Sequence, residues 1–339
     1  MNIYLDNGYI DFDKIVKCGC PFILIIGGRA TGKTFGSIKY VYEQRKEFIF
    51  MRRTQAQLEI IKRPEYSPFN AINRELGTNI EVNPNSRYTA DINQGDKTLG
   101  HILALSTISN LRGFSSGAEF LIYDEFIPEL HEKPFAGGPD AEFNAFLNAY
   151  ETINRNREIQ GRAPLQCLLL SNSNTLKNPI LDGFGLVDIL ERKKRNGKTE
   201  YINQQRGIAV FMLDDSRISE KKKETALYKA AKDSNFYKMA IANDFATDNP
   251  ENIKSLNIKE FVLMFTIQDY FSVYKHKSER KYYISNYQKG KAPEEYSASK
   301  IDQKRIRGKY GFLYDTRMRN NIFFENYSLQ VKFDNLFNL

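Results

Sequence analysis

Short apolar runs alternate with amphipathic segments through the first half of the chain. The runs are bounded by polar or turn-forming residues, which predicts buried strands of a parallel sheet. These predicted strands are Phe22 to Ile26, EFIFMRR (47–53), HILALS (101–106), Phe120 to Tyr123 and LQCLLLSNSN (165–174). Between them, Thr34 to Glu43 and TQAQLEIIKR (54–63) predict helices, the second of which is stopped by Pro64. The alternation of strands and helices predicts an α/β fold.

A longer helix is predicted between the last two strands, within DAEFNAFLNAYETINRNREIQGR (140–162). Asp140 can cap its first turn. Its apolar positions follow helical spacing and are Phe143, Phe146, Leu147, Tyr150 and Ile153. Arg155, Arg157 and Arg162 lie at its C-terminal end, where cations also suit the helix dipole.

The second half of the chain has a different pattern. Residues 216–246 predict a helical connector, and FVLMFTI (261–267), YFSVYKH (270–276) and KYYISNY (281–287) predict successive strands, followed by a terminal helix. The predicted organisation is therefore an α/β domain over 1–197, a helical linker over 198–250 and a small β-rich domain over 251–339.

Length and composition exclude several protein classes. A chain of 339 residues can bury a sizeable core and form more than one domain. No apolar run approaches the roughly 20 residues of a membrane span, and the acidic N-terminus is unlike a secretory signal. Three cysteines, at positions 18, 20 and 167, predict neither a disulfide framework nor a zinc site and suit a reducing cytoplasm.

The net charge of +8 is concentrated near the C-terminus. Residues 251–339 contain 16 Lys and Arg against 10 Asp and Glu. Aromatic residues are interspersed with these cations in YFSVYKHKSERKYYISNYQKGK, a pattern that favours a polyanion-binding surface. Exposed lysines on the solvent face of an antiparallel sheet explain the pattern equally well.

The strongest motif is LIIGGRATGKTFGS (24–37), which fits G-x-x-x-x-G-K-[ST] between a strand and a helix. Backbone amides of such a loop and the helix N-terminus attract phosphate. Lys33 would reach the β- and γ-oxygens, and Thr34 would hold Mg²⁺. The predicted nucleotide-binding residues of this loop are Gly27, Gly28, Arg29, Ala30, Thr31, Gly32, Lys33 and Thr34.

An acidic pair, Asp124 and Glu125, ends the apolar run that begins at Phe120. The carboxyl ends of parallel strands share one edge of a sheet, so this pair is expected beside the phosphate loop. Asp124 is the predicted Mg²⁺ ligand, directly or through water. Glu125 is the predicted base that orients and deprotonates the attacking water.

Two further groups are candidates at the same site. Ser171 and Asn172 end the strand that begins at residue 165, and an amide there can sense the γ-phosphate; an Asx turn is the alternative. An arginine at the end of the long helix could stabilise transition-state charge in a neighbouring subunit. The helix dipole explains the same arginines without function.

With these motifs in view, the chain resembles the DNA-packaging ATPases of phi29-like tailed phages, which are compact relatives of large terminases. The resemblance covers most of residues 15–180 and is carried by GGRATGKT, EFIFMRRT, FLIYDEF, NRNRE and CLLLSNSN in that order. It implies an additional-strand P-loop NTPase core, a helical connector and a small β-rich C-terminal domain with a vestigial RNase H-like nuclease fold.

The resemblance also implies a function. An ATP- and Mg²⁺-dependent ring, pentameric in known relatives, would drive double-stranded DNA into an empty procapsid at the portal vertex. The expected partners are DNA, the portal and the procapsid, with a packaging RNA left open; no membrane is involved. The protein would work in the host bacterial cytoplasm and be absent from the mature virion. By match to NRNRE, Arg155 is the finger acting in trans and Arg157 the reserve.

DNA contacts of such a motor are expected to be independent of sequence and directed at phosphates. The predicted contacts are Arg112, Lys275, Lys277, Arg280, Lys281, Lys304, Arg305 and Arg307. Asp269 lies in a candidate strand without a convincing set of partner acids for a two-metal site, so nuclease activity is not expected.

Three alternatives remain open at this stage. Two share the enzyme class: a terminase with a working nuclease, and a helicase. The third is a nucleotide-switched assembly protein that docks on a portal without turnover. Glu125 argues against the third, because a mere switch does not require a catalytic carboxylate.

Overall fold

The computed structural model describes residues 3–111, 113–114, 116–129, 132, 135, 138, 140–213, 221–232, 234 and 252–337. Its strands are β1 Phe22–Ile26, β2 Phe48–Arg52, β3 Ile80–Pro84, β4 Thr89–Gln94, β5 Lys97–Ala104, β6 Phe120–Asp124, β7 Gln166–Ser171, β8 Glu200–Asn203, β9 Ile208–Met212, β10 Phe261–Ile267, β11 Phe271–His276, β12 Tyr282–Ser285, β13 Glu295–Tyr296 and β14 Ile322–Phe324.

The helices are α1 Phe12–Val16, α2 Lys33–Glu43, α3 Gln55–Ile61, α4 Asn70–Leu76, α5 Ala141–Asn154, α6 Pro179–Gly183, α7 Val187–Arg195, α8 Ala226–Ala230, α9 Lys300–Lys309, α10 Phe312–Met318 and α11 Tyr327–Phe337. Short 3₁₀ segments lie at Pro64–Tyr66, Leu105–Leu111 and Ile258–Glu260. No helix in the described ranges is long and apolar enough to span a bilayer.

The first compact unit comprises residues 1–132, 144–175 and 196–246. Its nine strands form one sheet in the order β3-β4-β5-β2-β6-β7-β1-β9-β8. The six strands from β5 to β9 in that order run parallel, and β3, β4 and β8 add antiparallel edges. β7 lies between β6 and β1, so an extra strand separates the acidic strand from the phosphate-loop strand, which confirms the predicted additional-strand α/β core.

Apolar composition explains why these strands occupy the centre. Four residues of β1 and all five of β6 are buried, because helices cover both faces of a parallel sheet. α3 begins where predicted: Thr54 accepts a hydrogen bond from the Gln57 amide, and the Gln57 side chain accepts one from the Thr54 amide.

The second unit comprises residues 133–143, 176–195 and 247–339. Its sheet has the order β13-β10-β11-β12-β14, with an antiparallel meander β10-β11-β12 and a parallel strand at each edge. α9, α10 and α11 supply apolar residues to its core, including Ile306, Leu313 and Phe333. The predicted β-rich C-terminal region with a terminal helix is therefore present; its nuclease-like ancestry stays a prediction.

An ionic cluster around the buried Asp334 joins residues 176–195 to the C-terminal part of the second unit. The Asp334 carboxylate accepts hydrogen bonds from Lys177 Nζ at 2.6 Å and from Arg317 Nε at 3.0 Å. Asp188 likewise accepts from the Tyr327 amide at 2.9 Å. These bonds explain why residues 176–195 group with the C-terminal unit rather than with residues 1–175.

The predicted linker over 198–250 differs from the structure at its start. Residues 200–203 and 208–212 are strands β8 and β9, because the apolar run IAVFM pairs in parallel with β1. Much of the predicted connector over 216–246 lies outside the described residues. The three domain boundaries themselves stay a prediction.

Gly100 lies at a close approach between β5 and β2. It is paired with Phe48, and a Cβ there would lie 1.9 Å from the Phe48 carbonyl oxygen. Gly100→Ala should therefore lower the free energy of unfolding by about 2 kcal/mol, because the backbone must shift to admit the methyl group. Urea denaturation followed by circular dichroism measures the change.

Gly308→Ala is the matched control. Gly308 lies within α9, and a Cβ there meets nothing within 4 Å. We expect it to leave stability unchanged or to raise it by about 0.5–1 kcal/mol, because alanine is the better helix former. Equal urea midpoints for the two variants would show that the β5–β2 contact tolerates a side chain.

Candidate functional site

The phosphate loop connects β1 to α2, as its sequence predicts. Gly32 precedes α2 with a φ of 85°, and a Cβ there would lie 2.7 Å from Cδ1 of Tyr9. Ala30 also has a positive φ, of 56°. Thr31 is buried and donates its hydroxyl to the Gly28 carbonyl at 3.0 Å. The loop is therefore tightly curled.

Lys33 lies inside this curl. Its Nζ donates to the carbonyl oxygens of Gly27 at 3.0 Å and Gly28 at 2.6 Å, and to Oδ1 of Asn172 at 3.3 Å. Burial lowers the pKa of Lys33 to about 7, although the nearby Asp124 carboxylate raises it. A bound polyphosphate would give this ammonium a negatively charged acceptor in addition to these neutral ones.

Asp124, the last residue of β6, lies beside the start of α2. Thr34 Oγ1 donates to Asp124 Oδ1 at 2.9 Å, and Arg52 Nη1 donates to Asp124 Oδ2 at 2.8 Å. Burial raises the pKa of the Asp124 carboxyl, while the Arg52 guanidinium lowers it. The motifs at the ends of β1 and β6 therefore meet at the same edge of the sheet.

Glu125 follows directly and has a left-handed backbone, with a φ of 57°. Its side chain is half exposed, and one carboxylate oxygen accepts a hydrogen bond from Arg52 Nη2. Arg52 thus bridges the two acidic residues. A non-glycine residue in this conformation costs free energy, which the surrounding contacts must offset.

These groups line a pocket of about 300 Å³. Its lining residues come from three strand ends: Arg29, Ala30, Gly32, Lys33, Thr34 and Phe35; Asp124 and Glu125; Ser171 and Asn172. Ser171 Oγ also accepts from the Ile127 amide at 3.2 Å, which links the end of β7 to the segment after β6. The structure brings every predicted member of the nucleotide site except the arginine finger to this edge.

The oxygen donors of the pocket fit a magnesium site. Thr34 supplies a hydroxyl and Asp124 a carboxylate, and Mg²⁺ is usually held by one or two carboxylates together with substrate phosphates and water. No group of three His, Cys, Asp or Glu residues in the described ranges could hold a metal on its own. Thr34 and Asp124 would therefore act with phosphate oxygens.

Three residues at this edge were not singled out from the sequence. Arg52 ends β2, the strand next to β6. The sequence MRR at the end of an apolar run is the signal that predicts a cation at this strand end. Glu129 accepts from Arg29 Nη2 at 2.5 Å, and Lys222 donates to the Arg29 carbonyl. No sequence signal indicates these last two contacts, because both depend on chain segments that follow other strands.

The two candidate finger residues hydrogen bond within their own chain and do not line the described pocket. Arg155 follows α5 with a φ of 48° and donates to the carbonyls of Phe114, at 2.7 Å, and Gly113, at 3.3 Å. Arg157 is buried and donates to the carbonyls of Gly117 and Ala118. Arg155 is exposed, so of the two it is the one accessible to another molecule.

The predicted DNA contacts fall into two groups. Lys275, Lys277, Arg280 and Lys281 lie at one end of the β11–β12 hairpin, whereas Lys304, Arg305 and Arg307 lie on α9. Some have intramolecular partners: Lys281 pairs with Glu279, Arg305 pairs with Asp302, and Arg307 donates to the Leu336 carbonyl. Arg112 lies outside the described residues.

Asp269 is not a strand residue. It lies in the turn between β10 and β11 with a φ of 60°, a conformation that aspartate tolerates better than most residues. The reading of Asp269 as part of a strand is therefore wrong, because the apolar runs on either side close into a tight hairpin.

Known proteins share this architecture. The family model for the podovirus DNA encapsidation protein (Gp16) matches residues 6–310. The gp11 DNA packaging motor of Phi-28 is 16% identical, covers 96% of this chain and 97% of its own, and superposes with a TM-score of 0.66. The viral genome packaging motor assembly of bacteriophage Phi-29 is 18% identical, with coverages of 95% and 96% and a TM-score of 0.62. No curated protein matches the chain.

The lowered pKa of Lys33 makes phosphate binding depend on pH. With a pKa of about 7, Lys33 is largely neutral above pH 7, whereas a bound polyphosphate would favour the charged ammonium, so its binding there would take up a proton. Affinity for ATP should therefore fall as pH rises from 7 to 9, approaching about tenfold per pH unit. Titration of a fluorescent ATP analogue at pH 7, 8 and 9 measures the slope.

Lys33→Arg is the control for this pH dependence. A guanidinium stays charged throughout this range, so the variant should show a much flatter pH dependence whatever its absolute affinity. A flat profile in the unaltered chain would show that Lys33 remains charged when the site is empty.

Proposed function

The chain belongs to the podovirus DNA encapsidation protein family, and we propose that it is an ATP-driven motor that moves double-stranded DNA into an empty procapsid. It would act as a homo-oligomeric ring at the portal vertex, pentameric like the relatives that its sequence resembles. The proposed site of action is the host bacterial cytoplasm. Family membership favours this motor over a helicase or an assembly switch.

One observation carries the proposal: the buried ammonium of Lys33 and the Thr34–Asp124 pair meet at the carboxyl edge of a parallel sheet. Curled loop amides, an ammonium, a hydroxyl and a carboxylate are the groups that triphosphate and Mg²⁺ require. Lys33 would bind the phosphates, and Thr34 and Asp124 would hold the metal, which neutralises charge on the phosphate oxygens. Asn172, already bonded to Lys33, would sense the γ-phosphate.

Glu125 is the proposed general base. Its exposed carboxylate lies beside Asp124 at the pocket edge, where it can orient the attacking water and accept its proton. Arg52 Nη2 donates a hydrogen bond to one oxygen of this carboxylate. Breaking of the Arg52–Glu125 bond would free the Glu125 carboxylate to bind water. Glu125 would then act as a base only after nucleotide has rearranged the site.

Arg155 is the proposed finger in trans. It is exposed, and its guanidinium is bonded only to carbonyl groups of residues 113 and 114 among the described residues. A triphosphate in the neighbouring subunit is a stronger acceptor than a neutral carbonyl, because charged acceptors form stronger hydrogen bonds. A ring is therefore needed to complete the active site.

The β11–β12 hairpin is the proposed DNA contact, with α9 and Arg112 as further candidates. Lys275, Lys277 and Arg280 are exposed at one end of the hairpin. Ammonium and guanidinium groups that bind phosphates release counterions and ignore base sequence, as a motor that must regrip any sequence requires. The proposed activity does not include DNA cleavage; nicking of plasmid DNA with Mg²⁺ or Mn²⁺ would reveal a nuclease.

Steady-state ATP hydrolysis with and without double-stranded DNA tests the motor directly. We expect DNA to stimulate hydrolysis and the stimulation to fade between about 50 and 200 mM salt, because phosphate contacts are lost as salt rises. Glu125→Gln should keep ATP binding and lower turnover by about 100-fold or more, since an amide cannot take the proton. Turnover that ignores DNA would favour an assembly switch, and retained turnover in Glu125→Gln would place the base elsewhere.

Mixing of variants tests the finger. Arg155→Ala and Lys33→Ala should each be inactive alone, whereas a mixture should regain part of the activity at interfaces that pair an intact Lys33 with an intact Arg155. Arg162→Ala is the matched control, because Arg162 is exposed near the same helix end and, within the part of the chain that the structure describes, bonds only to the Gln160 side chain and its own loop. Absence of rescue would favour a structural role for Arg155 in holding residues 113 and 114.

A further inference from the structure

A lysine from outside the three nucleotide motifs reaches the phosphate loop. Lys222 lies after β9, and its Nζ donates to the carbonyl of Arg29, which is in the middle of the loop. The Lys222 carbonyl accepts from both the amide and the hydroxyl of Thr225, each at 2.9 Å. Its ammonium also lies 6.0 Å from the ring centroid of Tyr228 on α8. The lysine is thus held by a turn and the helix that follows it.

The surroundings of Lys222 leave its charge without a carboxylate partner in the described part of the chain. Its main acceptor is a neutral carbonyl, and burial lowers its pKa. It is close enough to Lys33 to lower the pKa of that lysine as well. Three basic side chains therefore lie around a single loop: Lys33, Lys222 and Arg29, of which Arg29 pairs with the Glu129 carboxylate.

Such an arrangement favours an anion. Cations that repel one another across a small space cost free energy, and an added polyanion relieves this cost. A phosphate oxygen is also a stronger acceptor than the Arg29 carbonyl, because charge-assisted hydrogen bonds are about twice as strong as neutral ones. To bind phosphate, the Lys222 ammonium would need only to exchange the Arg29 carbonyl for a phosphate oxygen at the same loop.

We propose that Lys222 is a phosphate-binding residue of the nucleotide site, contributed by the segment after β9. On nucleotide binding its Nζ exchanges the Arg29 carbonyl for a phosphate oxygen of the triphosphate. This inference rests on the proposed ATP site at Lys33. It also means that the turn at residues 222–225, and α8 after it, respond to whether the phosphate loop is filled.

Equilibrium binding of a fluorescent ATP analogue to the full-length chain tests this assignment. Lys222→Ala should bind about tenfold more weakly, the loss expected for one hydrogen bond to a charged group. Lys222→Arg keeps the cation and should stay within about threefold of the unaltered chain. Lys221→Ala is the matched control, because it removes the same charge from the exposed neighbouring residue and should leave affinity unchanged.

Inorganic tripolyphosphate separates phosphate contacts from those to the base and sugar. Competition against the fluorescent analogue should show the same tenfold loss for Lys222→Ala, since this probe presents phosphates alone. Thermal unfolding without nucleotide should give the same midpoint for Lys222→Ala and Lys221→Ala, whereas ATP should raise the midpoint less in Lys222→Ala. A lysine that only braces the loop would lower the nucleotide-free midpoint and leave tripolyphosphate affinity unchanged, which overturns the proposal.

Lys33→Ala distinguishes failure of this inference from failure of the ATP site. If Lys33→Ala abolishes binding while Lys222→Ala and Lys221→Ala bind equally well, Lys222 is not a phosphate ligand and the proposed motor function stands. If Lys33→Ala binds as the unaltered chain does, the site itself is wrong and the Lys222 assignment falls with it.

Discussion

The buried ammonium of Lys33 is the constraint on which the nucleotide edge of the sheet depends. Moving an ammonium out of water is costly unless acceptors replace the lost hydration. Here the carbonyls of Gly27 and Gly28 and the amide oxygen of Asn172 do so, which requires the loop to curl and β7 to end beside it. These three acceptors are neutral, so they do not balance the charge of the buried ammonium, and the pKa of Lys33 is low. A bound anion would raise it.

The acidic side of the site is organised by the same strand order. β6 lies between β2 and β7, so Arg52 and Asn172 lie on opposite sides of Asp124 and Glu125. Arg52 offsets the charge of two neighbouring carboxylates that would otherwise repel each other. The lysine and the acidic residues of the site thus have separate protein partners, which a metal-bound triphosphate would replace.

Much of this architecture could be predicted from the sequence because its signals are local. β1 spans the predicted Phe22–Ile26, and the apolar run from Phe120 places Asp124 at a strand end. Residues whose role depends on pairing distant segments were missed. β9 joins the sheet by pairing with β1, and β8 by pairing with β9. Lys222 meets Arg29 only through the path of the chain after β9. Periodicity predicts which face of a helix or strand is buried, but not which other segment packs against that face.

The backbone passes back and forth between the two compact units, with changes near residues 132, 143, 175, 195 and 246. The C-terminal unit is therefore not a contiguous stretch of polypeptide. A fragment that starts near residue 250 would lack Lys177, one of the two cationic partners of Asp334 among the described residues, and Asp188, which accepts from the Tyr327 amide. Truncation is thus a poor way to isolate this unit, and a single proteolytic nick would not release it. A mechanical load applied to one unit would likewise be shared by several backbone connections rather than by a single linker.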